Sequence, residues 1–192
     1  QTNFEPEESM TTPTDSESPE GQGSASSHCS TSSEPLGIVV SGFPGVGKSH
    51  FARTSPLRVS DSDSSKFDKD GFPANYVEAI KERQKEFDIV LVSSHETVRA
   101  EMERQQVYYQ IVLPDCKLRD EYLQRYRDRG SSESFIQLIS DNWDRWLEGC
   151  AYDGSHDYNE LRSLSGYKLG SGHFIADVAD RIVEFEKNRP RR

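Results

Sequence analysis

Eight consecutive residues carry the clearest chemistry in this chain: Gly42, Phe43, Pro44, Gly45, Val46, Gly47, Lys48 and Ser49. They spell G-x-x-x-x-G-K-S, a spacing in which each fixed position has a task toward an anionic ligand. Glycines let backbone N–H groups turn inward around phosphate oxygens with no side chain in the way. Lys48 would neutralise charge on the outer phosphates of ATP, and the Ser49 hydroxyl would reach Mg²⁺. A helix opening at Lys48 would aim its positive end at the same anions, and His50 in its first turn is grouped with the nucleotide site.

Two further sets of residues complete a candidate phosphoryl-transfer site. Asp61 and Asp63 follow directly on the second strand, where a carboxylate can accept a proton from an attacking hydroxyl or hold Mg²⁺ through water. Asp61, nearer the strand end, is the expected base, and Asp63 is the expected metal ligand. Arg119, Arg125, Arg127 and Arg129 form a basic set in which Arg125 and Arg129, four apart, share a helix face. These two are the expected catalytic arginines of a segment that closes over the transferring phosphoryl group. His95 lies at the end of the central strand, and Lys168, Leu169 and Gly170 precede the last helix at a position suited to contacting a base.

The elements that must position these residues alternate along the chain. Leu36 to Val40 is a short apolar run with the length and composition of a buried strand, and Lys48 to Thr54 reads as a short helix stopped by Pro56. Leu57 to Ser60 is a second strand, Asn75 to Phe87 a helix, and Ile89 to Val92 four aliphatics suited to burial on both faces. A helix from Glu96 to Arg104, a strand from Tyr108 to Leu113 and a helix from Leu118 to Arg129 follow, the last closed by Gly130 as a left-handed cap. Ser134 to Leu147 is a helix with Phe135, Leu138, Ile139, Trp143 and Trp146 on its core side. After a turn-rich section come a short strand at Gly166 to Leu169 and a helix from Ile175 to Lys187, with Ile175, Val178, Ile182 and Phe185 inward. Strands alternating with helices imply an α/β fold with a mostly parallel sheet covered on both faces.

Composition divides the 192 residues unevenly. Residues 1–35 are rich in Ser, Thr, Glu, Pro and Gly, and carry Glu5, Glu7, Glu8, Asp15, Glu17, Glu20 and Glu34 with no Lys or Arg. Of the net charge of −10, seven units sit there, leaving about −3 for the rest. One sign of charge with little apolar surface cannot offset the entropy of ordering, so this tail is expected to be disordered. Residues 36–187 form the expected domain and 188–192 a short basic end. No apolar run approaches the roughly 18 residues of a membrane span, and the start lacks the pattern of a secretory signal. Cys29, Cys116 and Cys150 have neither disulfide nor zinc spacing and suit a reducing, cytoplasmic setting. The acidic balance makes a nucleic-acid acceptor the less favoured partner, and the oligomeric state stays open.

The segments around Ser41 to Ser49, Asp61 to Ser65, Phe72 to Ile80, Asp88 to His95 and Ser140 to Trp146 resemble small P-loop kinases of the nucleoside and nucleotide kinase (adenylate-kinase-like) group. Within that group they resemble kinase-like proteins of phages and large DNA viruses. The resemblance covers roughly residues 36 to 186 and is most specific at Gly42 to Ser49. It implies a three-layer P-loop fold with about five parallel strands, ATP as donor and a small nucleoside- or nucleotide-type acceptor. The Asp-Gly-Phe-Pro-Arg stretch of adenylate kinases is absent. Gly71-Phe72-Pro73 lies elsewhere and lacks the flanking Asp and Arg, which speaks against adenylate kinase activity itself. The expected function is therefore an ATP- and Mg²⁺-dependent phosphotransferase. The alternatives are a kinase of nucleic-acid 5′-hydroxyl or modified-base hydroxyl groups, and a non-enzymatic ATP-binding module.

Overall fold

The computed structural model describes residues 36–152 and 166–189. The expected acidic tail, much of the turn-rich section and most of the basic end lie outside the described residues. Five strands form one parallel sheet: β1 (Ile38–Gly42), β2 (Val59–Asp61), β3 (Ile89–Ser93), β4 (Gln110–Pro114) and β5 (Gly166–Leu169). Their order across the sheet is β2-β3-β1-β4-β5. Six α-helices accompany them among the described residues: α1 (Lys48–Thr54), α2 (Ala74–Gln84), α3 (Glu96–Arg104), α4 (Arg119–Asp128), α5 (Glu133–Tyr152) and α6 (Ala179–Asn188). Short 3-10 turns at Ser64–Lys66, Cys116–Leu118 and Ile175–Val178 lead into or between them.

Alternation along the strands builds two cores, because successive side chains leave opposite faces of the sheet. Val40, Leu91 and Val112 face one side, where they meet Phe51 of α1, Tyr122 and Tyr126 of α4, Ile139 and Trp143 of α5, and Ile182 of α6. Val39, Val90, Val92 and Ile111 face the other, against Tyr76, Val77 and Ile80 of α2 and Val98 and Met102 of α3. The sheet is thus covered on both faces, as the alternating sequence predicts. The run Ile89 to Val92 is buried throughout, which is why it carries no polar face.

Two expected core positions are corrected. Leu138 on α5 and Phe185 on α6 are exposed, at 49% and 39%. Helical spacing marks a stripe wider than the neighbouring elements cover, so residues on its border face solvent. α5 also continues to Tyr152, beyond the expected end at Leu147, and Cys150 near its C-terminus reaches the second core. Gly130 closes α4 with φ of 76°, in the left-handed region that its type permits.

Candidate functional site

The glycine loop leaves the carboxyl end of β1 and turns back into α1. Parallel pairing fixes what stands beside it: Gly42 is in register with Ser93 of β3, and Asp61 of β2 with Leu91. Loop, strand-end carboxylate and the end of β3, which lies beside the central strand β1, therefore share one edge of the sheet, where parallel α/β folds bind ligands. Phe43 N donates to Val112 O at 3.0 Å, and Phe51 N to Gly47 O at 2.9 Å. Between these anchors Gly45 and Gly47 adopt φ of 82° and 91°, which side-chain-bearing residues rarely tolerate.

Lys48 folds back into its own loop. Its Nζ donates to Gly42 O at 2.5 Å and to Phe43 O at 3.2 Å. A Cβ at Gly42 would lie 3.1 Å from the Lys48 side chain, so glycine there makes room for the lysine itself. Burial of the ammonium pushes its pKa down to about 8, with Asp61 drawing it up, Arg129 lowering it further and Asp63 drawing it up more weakly.

Three elements brace the loop from behind. Phe43 packs edge-on against Trp143 of α5, ring centroids 5.4 Å apart. Tyr126 of α4 donates its hydroxyl to Pro44 O at 2.8 Å, and a Cβ at Gly45 would sit 2.9 Å from the Tyr126 ring. Ile175 N donates to Val46 O at 2.8 Å, and Phe174 closes over Gly47, where a Cβ would stand 3.1 Å from it. The glycines thus serve close approach on the protein side of the loop as well as freedom of φ.

Across the loop, Ser49 Oγ donates to Asp61 Oδ2 at 2.5 Å. The backbone that carries Asp61 and Asp63 is pinned between them. Ser62 N donates to Leu91 O at 2.9 Å, and Ser62 O accepts from the Tyr76 hydroxyl at 2.7 Å. The same hydroxyl accepts from Ser93 N at 3.2 Å, so one buried phenol joins the ends of β2 and β3. Phe67 and Phe72 flank the Tyr76 ring, at 4.8 and 5.9 Å between centroids. Asp63 is exposed, and its Oδ1 accepts from Ser65 N at 3.0 Å. Hydrogen bonding from Ser65 holds its carboxyl below the usual range, with Lys66 and Lys48 adding to the effect against partial burial.

A cleft of about 340 Å³ opens here, lined by Lys48, Ser49, Asp61, Asp63, Ser93 and Phe135 together with their loop neighbours. The arginines divide around it. Arg125 pairs with Glu121 at 2.6 Å, donates to His173 O at 3.3 Å, and lies between the rings of Tyr122 and Phe174. Glu121 in turn accepts from Ser171 Oγ and Gly172 N, so Arg125 belongs to a clamp joining α4 to the segment after β5. Arg129 is exposed, stacks over Tyr126 and the cleft-lining Phe135, and is close enough to depress Lys48. Arg119 ties α4 to α5 through Ser140, and Arg127 is exposed.

The sequence-derived site is brought together in its centre and loosened at its edges. Gly42 to Ser49, Asp61 and Asp63 converge, with Arg129 nearby. His50 is exposed and is not among the residues lining the cleft. His95 caps α3 by accepting from Thr97 N, and Lys168 is exposed on an edge strand whose Leu169 carbonyl accepts from Asp115 N. Tyr76, Tyr126 and Phe135 were not legible as site residues. The hydroxyl partners of the two tyrosines and the cleft beside Phe135 are distant in sequence, and no local spacing signals them.

Among the described residues, no helix is long and apolar enough to cross a membrane, and no group of three or more His, Cys, Asp or Glu side chains could hold a metal ion. No family model and no curated protein matches the chain. A solved structure, an uncharacterized protein from Eubacterium ventriosum ATCC 27560, is similar over 81% of this chain and 100% of that one, at 14% identity and a TM-score of 0.43. At that distance it carries no argument about either fold or chemistry, and the site is read from its own residues.

Proposed function

We propose that this chain is an ATP- and Mg²⁺-dependent phosphotransferase with Gly42 to Ser49 as its phosphate loop and a nucleoside, nucleotide or nucleotide-like molecule as acceptor. The observation that carries the reading is the Ser49 Oγ to Asp61 Oδ2 bond, 2.5 Å long, set beside the inward-folded Lys48 at the carboxyl edge of a parallel sheet. A hydroxyl and a carboxylate at one point are the hard oxygen donors that Mg²⁺ takes, with water filling its remaining positions. Two donors suit such a partly hydrated ion, although they form no all-protein cage. Mg²⁺ held there would neutralise charge on the phosphate oxygens.

The donor set also distributes the roles. Asp61 is committed to Ser49 and goes with the metal, which leaves exposed Asp63 as the carboxylate open to a proton. This reverses the assignment expected from distance to the strand end, because nearness in sequence does not reveal which hydroxyl a carboxylate meets. Arg129 is the arginine suited to charge on the transferring group, and Arg125 is occupied by Glu121 and His173. The free thiol of Cys116 fits a cytoplasmic setting.

The test is ADP release from Mg·ATP with and without a panel of nucleosides, nucleoside monophosphates and 5′-hydroxyl oligonucleotides, beside a Lys48→Ala control. Release stimulated by an acceptor and lost in the control supports a kinase. Tight ATP binding with release that no acceptor changes would move the chain to the class of non-enzymatic nucleotide-binding modules.

A further inference from the structure

Two features of the cleft wall are not used by the phosphate loop or by the metal donors. The first is the hydroxyl of Ser62. This residue is 2% exposed and lines the cleft, and its Oγ has no hydrogen-bond partner. Its backbone, by contrast, is fully paired: N donates to Leu91 O at 2.9 Å, and O accepts from the Tyr76 hydroxyl at 2.7 Å. The chain is therefore held still at this point while the side chain keeps its donor and its acceptor lone pairs unused. Buried polar groups are nearly always satisfied, so a hydroxyl left alone in the wall of a cleft is suited to a partner that arrives with the ligand.

The second is the ring of Phe135, in the first turn of α5, which is half-buried and lines the same cleft. The ring is firmly seated. Tyr126 meets it edge-on, with centroids 5.4 Å apart and planes at 83°, and Arg129 lies over it at 5.6 Å. Tyr126 is in turn buried and bonded to Pro44 O at 2.8 Å, so the position of the Phe135 ring is tied to the phosphate loop. A ring held in this way gives up little freedom when a second ring packs on it in offset or edge-to-face geometry.

An aromatic wall and an uncommitted hydroxyl in one cleft of about 340 Å³ are the two kinds of contact that a planar ring with a polar edge requires. Lys48 and Ser49, suited to the outer phosphates, line this cleft too. It therefore lies at the γ-phosphate end, and the ring it serves is the acceptor's rather than the adenine at the far end of ATP. Resting on the phosphotransferase reading, we infer that Phe135 and Ser62 form the subsite for a nucleobase on the acceptor. Phe135 packs on the ring, and Ser62 Oγ bonds to its polar edge.

The probes are adenosine, guanosine, cytidine and thymidine, with free ribose as the control that lacks a base. Each is titrated calorimetrically into the full chain with Mg²⁺ and a non-hydrolysable ATP analogue. Saturable binding of at least one nucleoside and none of ribose is expected. Phe135→Leu should weaken that binding roughly tenfold, as loss of a stacking partner does, and Phe135→Tyr should restore it to within about threefold. Ser62→Ala should weaken it about fivefold or more, yet melt at or above the wild-type temperature without ligand, because it removes a buried polar group that no protein atom satisfies. Affinity for the ATP analogue should be unchanged in every variant. Ser62→Ala decides alone if Phe135→Leu melts too low to titrate.

Absence of binding by all of the nucleosides overturns the inference, as does ribose that binds as well as they do. So does wild-type nucleoside affinity in Phe135→Leu or Ser62→Ala, or a Ser62→Ala protein that melts lower, which would make the hydroxyl structural. A Phe135→Leu protein that loses the ATP analogue instead assigns the ring to the donor's adenine and also overturns it. Failure of the wild type to bind the ATP analogue at all would sink the phosphotransferase reading itself, whereas nucleoside binding by that same protein, weakened in both variants, would leave the subsite standing.

Discussion

Replacing Tyr76 by Phe removes one oxygen atom from the join between β2 and β3. The ring and its contacts with Phe67 and Phe72 stay, so no cavity is made. Two backbone groups lose their partner: Ser62 O, which accepts from the phenol at 2.7 Å, and Ser93 N, which donates to it at 3.2 Å. Tyr76 is fully buried, so water does not replace the lost bonds without local opening. An unsatisfied buried polar group costs roughly 1–3 kcal/mol. Both together should cost about 2–6 kcal/mol, the lower end applying if the strand ends relax toward solvent. For a domain of this size each kcal/mol lowers Tm by roughly 2–4 °C, which gives a loss of at least about 4 °C in Tyr76→Phe. Circular dichroism melts of the two proteins without nucleotide measure it. Because Ser62 lies between the two carboxylates, turnover should fall further than the melt accounts for, while ATP affinity stays near wild type. A melting temperature within about 1 °C of wild type would refute the claim that this phenol holds the carboxylate segment in place.

The two arginines of α4 should separate in opposite directions. Arg125→Ala breaks the clamp to Glu121 and His173 and should lower Tm, whereas Arg129→Ala should leave Tm within about 2 °C of wild type and lower turnover at least tenfold; equal effects on stability would contradict the division. Gly45→Ala places a Cβ 2.9 Å from Tyr126 at φ of 82°, and should cost roughly 1–3 kcal/mol and weaken ATP binding; an unchanged denaturation midpoint would show that the loop relaxes freely. Lys48 has a pKa lowered to about 8 from 10.5, so between those values the unfolded chain binds more protons and this group makes stability rise with pH. ATP, by contrast, needs the ammonium, so its affinity should fall as pH rises through about 8, and binding at pH 9 should take up close to one proton. Calorimetry in buffers of different ionisation heat reads that proton, and zero uptake would count against the burial of Lys48.

What the sequence showed and what it hid follow from the range of each signal. The alternation of apolar runs with helical stripes is local, and it placed α1, α3 and β5 at their observed bounds. Strand ends moved by one or two residues, as for β1 and β4, because a strand stops where its ladder partner stops and the partner lies elsewhere in the chain. The pattern Gly42 to Ser49 was legible because its chemistry is contiguous. The partner of Asp61 was not, since a hydroxyl 12 residues away becomes its neighbour only when β1 and β2 lie on either side of β3. Arg125 and Arg129 look equivalent on one helix. Only the segment after β5, which brings His173 and Phe174 to Arg125, tells them apart.

Titration of the full chain with ATP in the presence and absence of Mg²⁺, using wild type, Lys48→Ala and Ser49→Ala, tests most directly whether Gly42 to Ser49 holds a nucleotide. Saturable binding by the wild type, lost in Lys48→Ala and no longer strengthened by Mg²⁺ in Ser49→Ala, is the predicted result. The same affinity in all three proteins, or no heat of binding in the wild type, would contradict it.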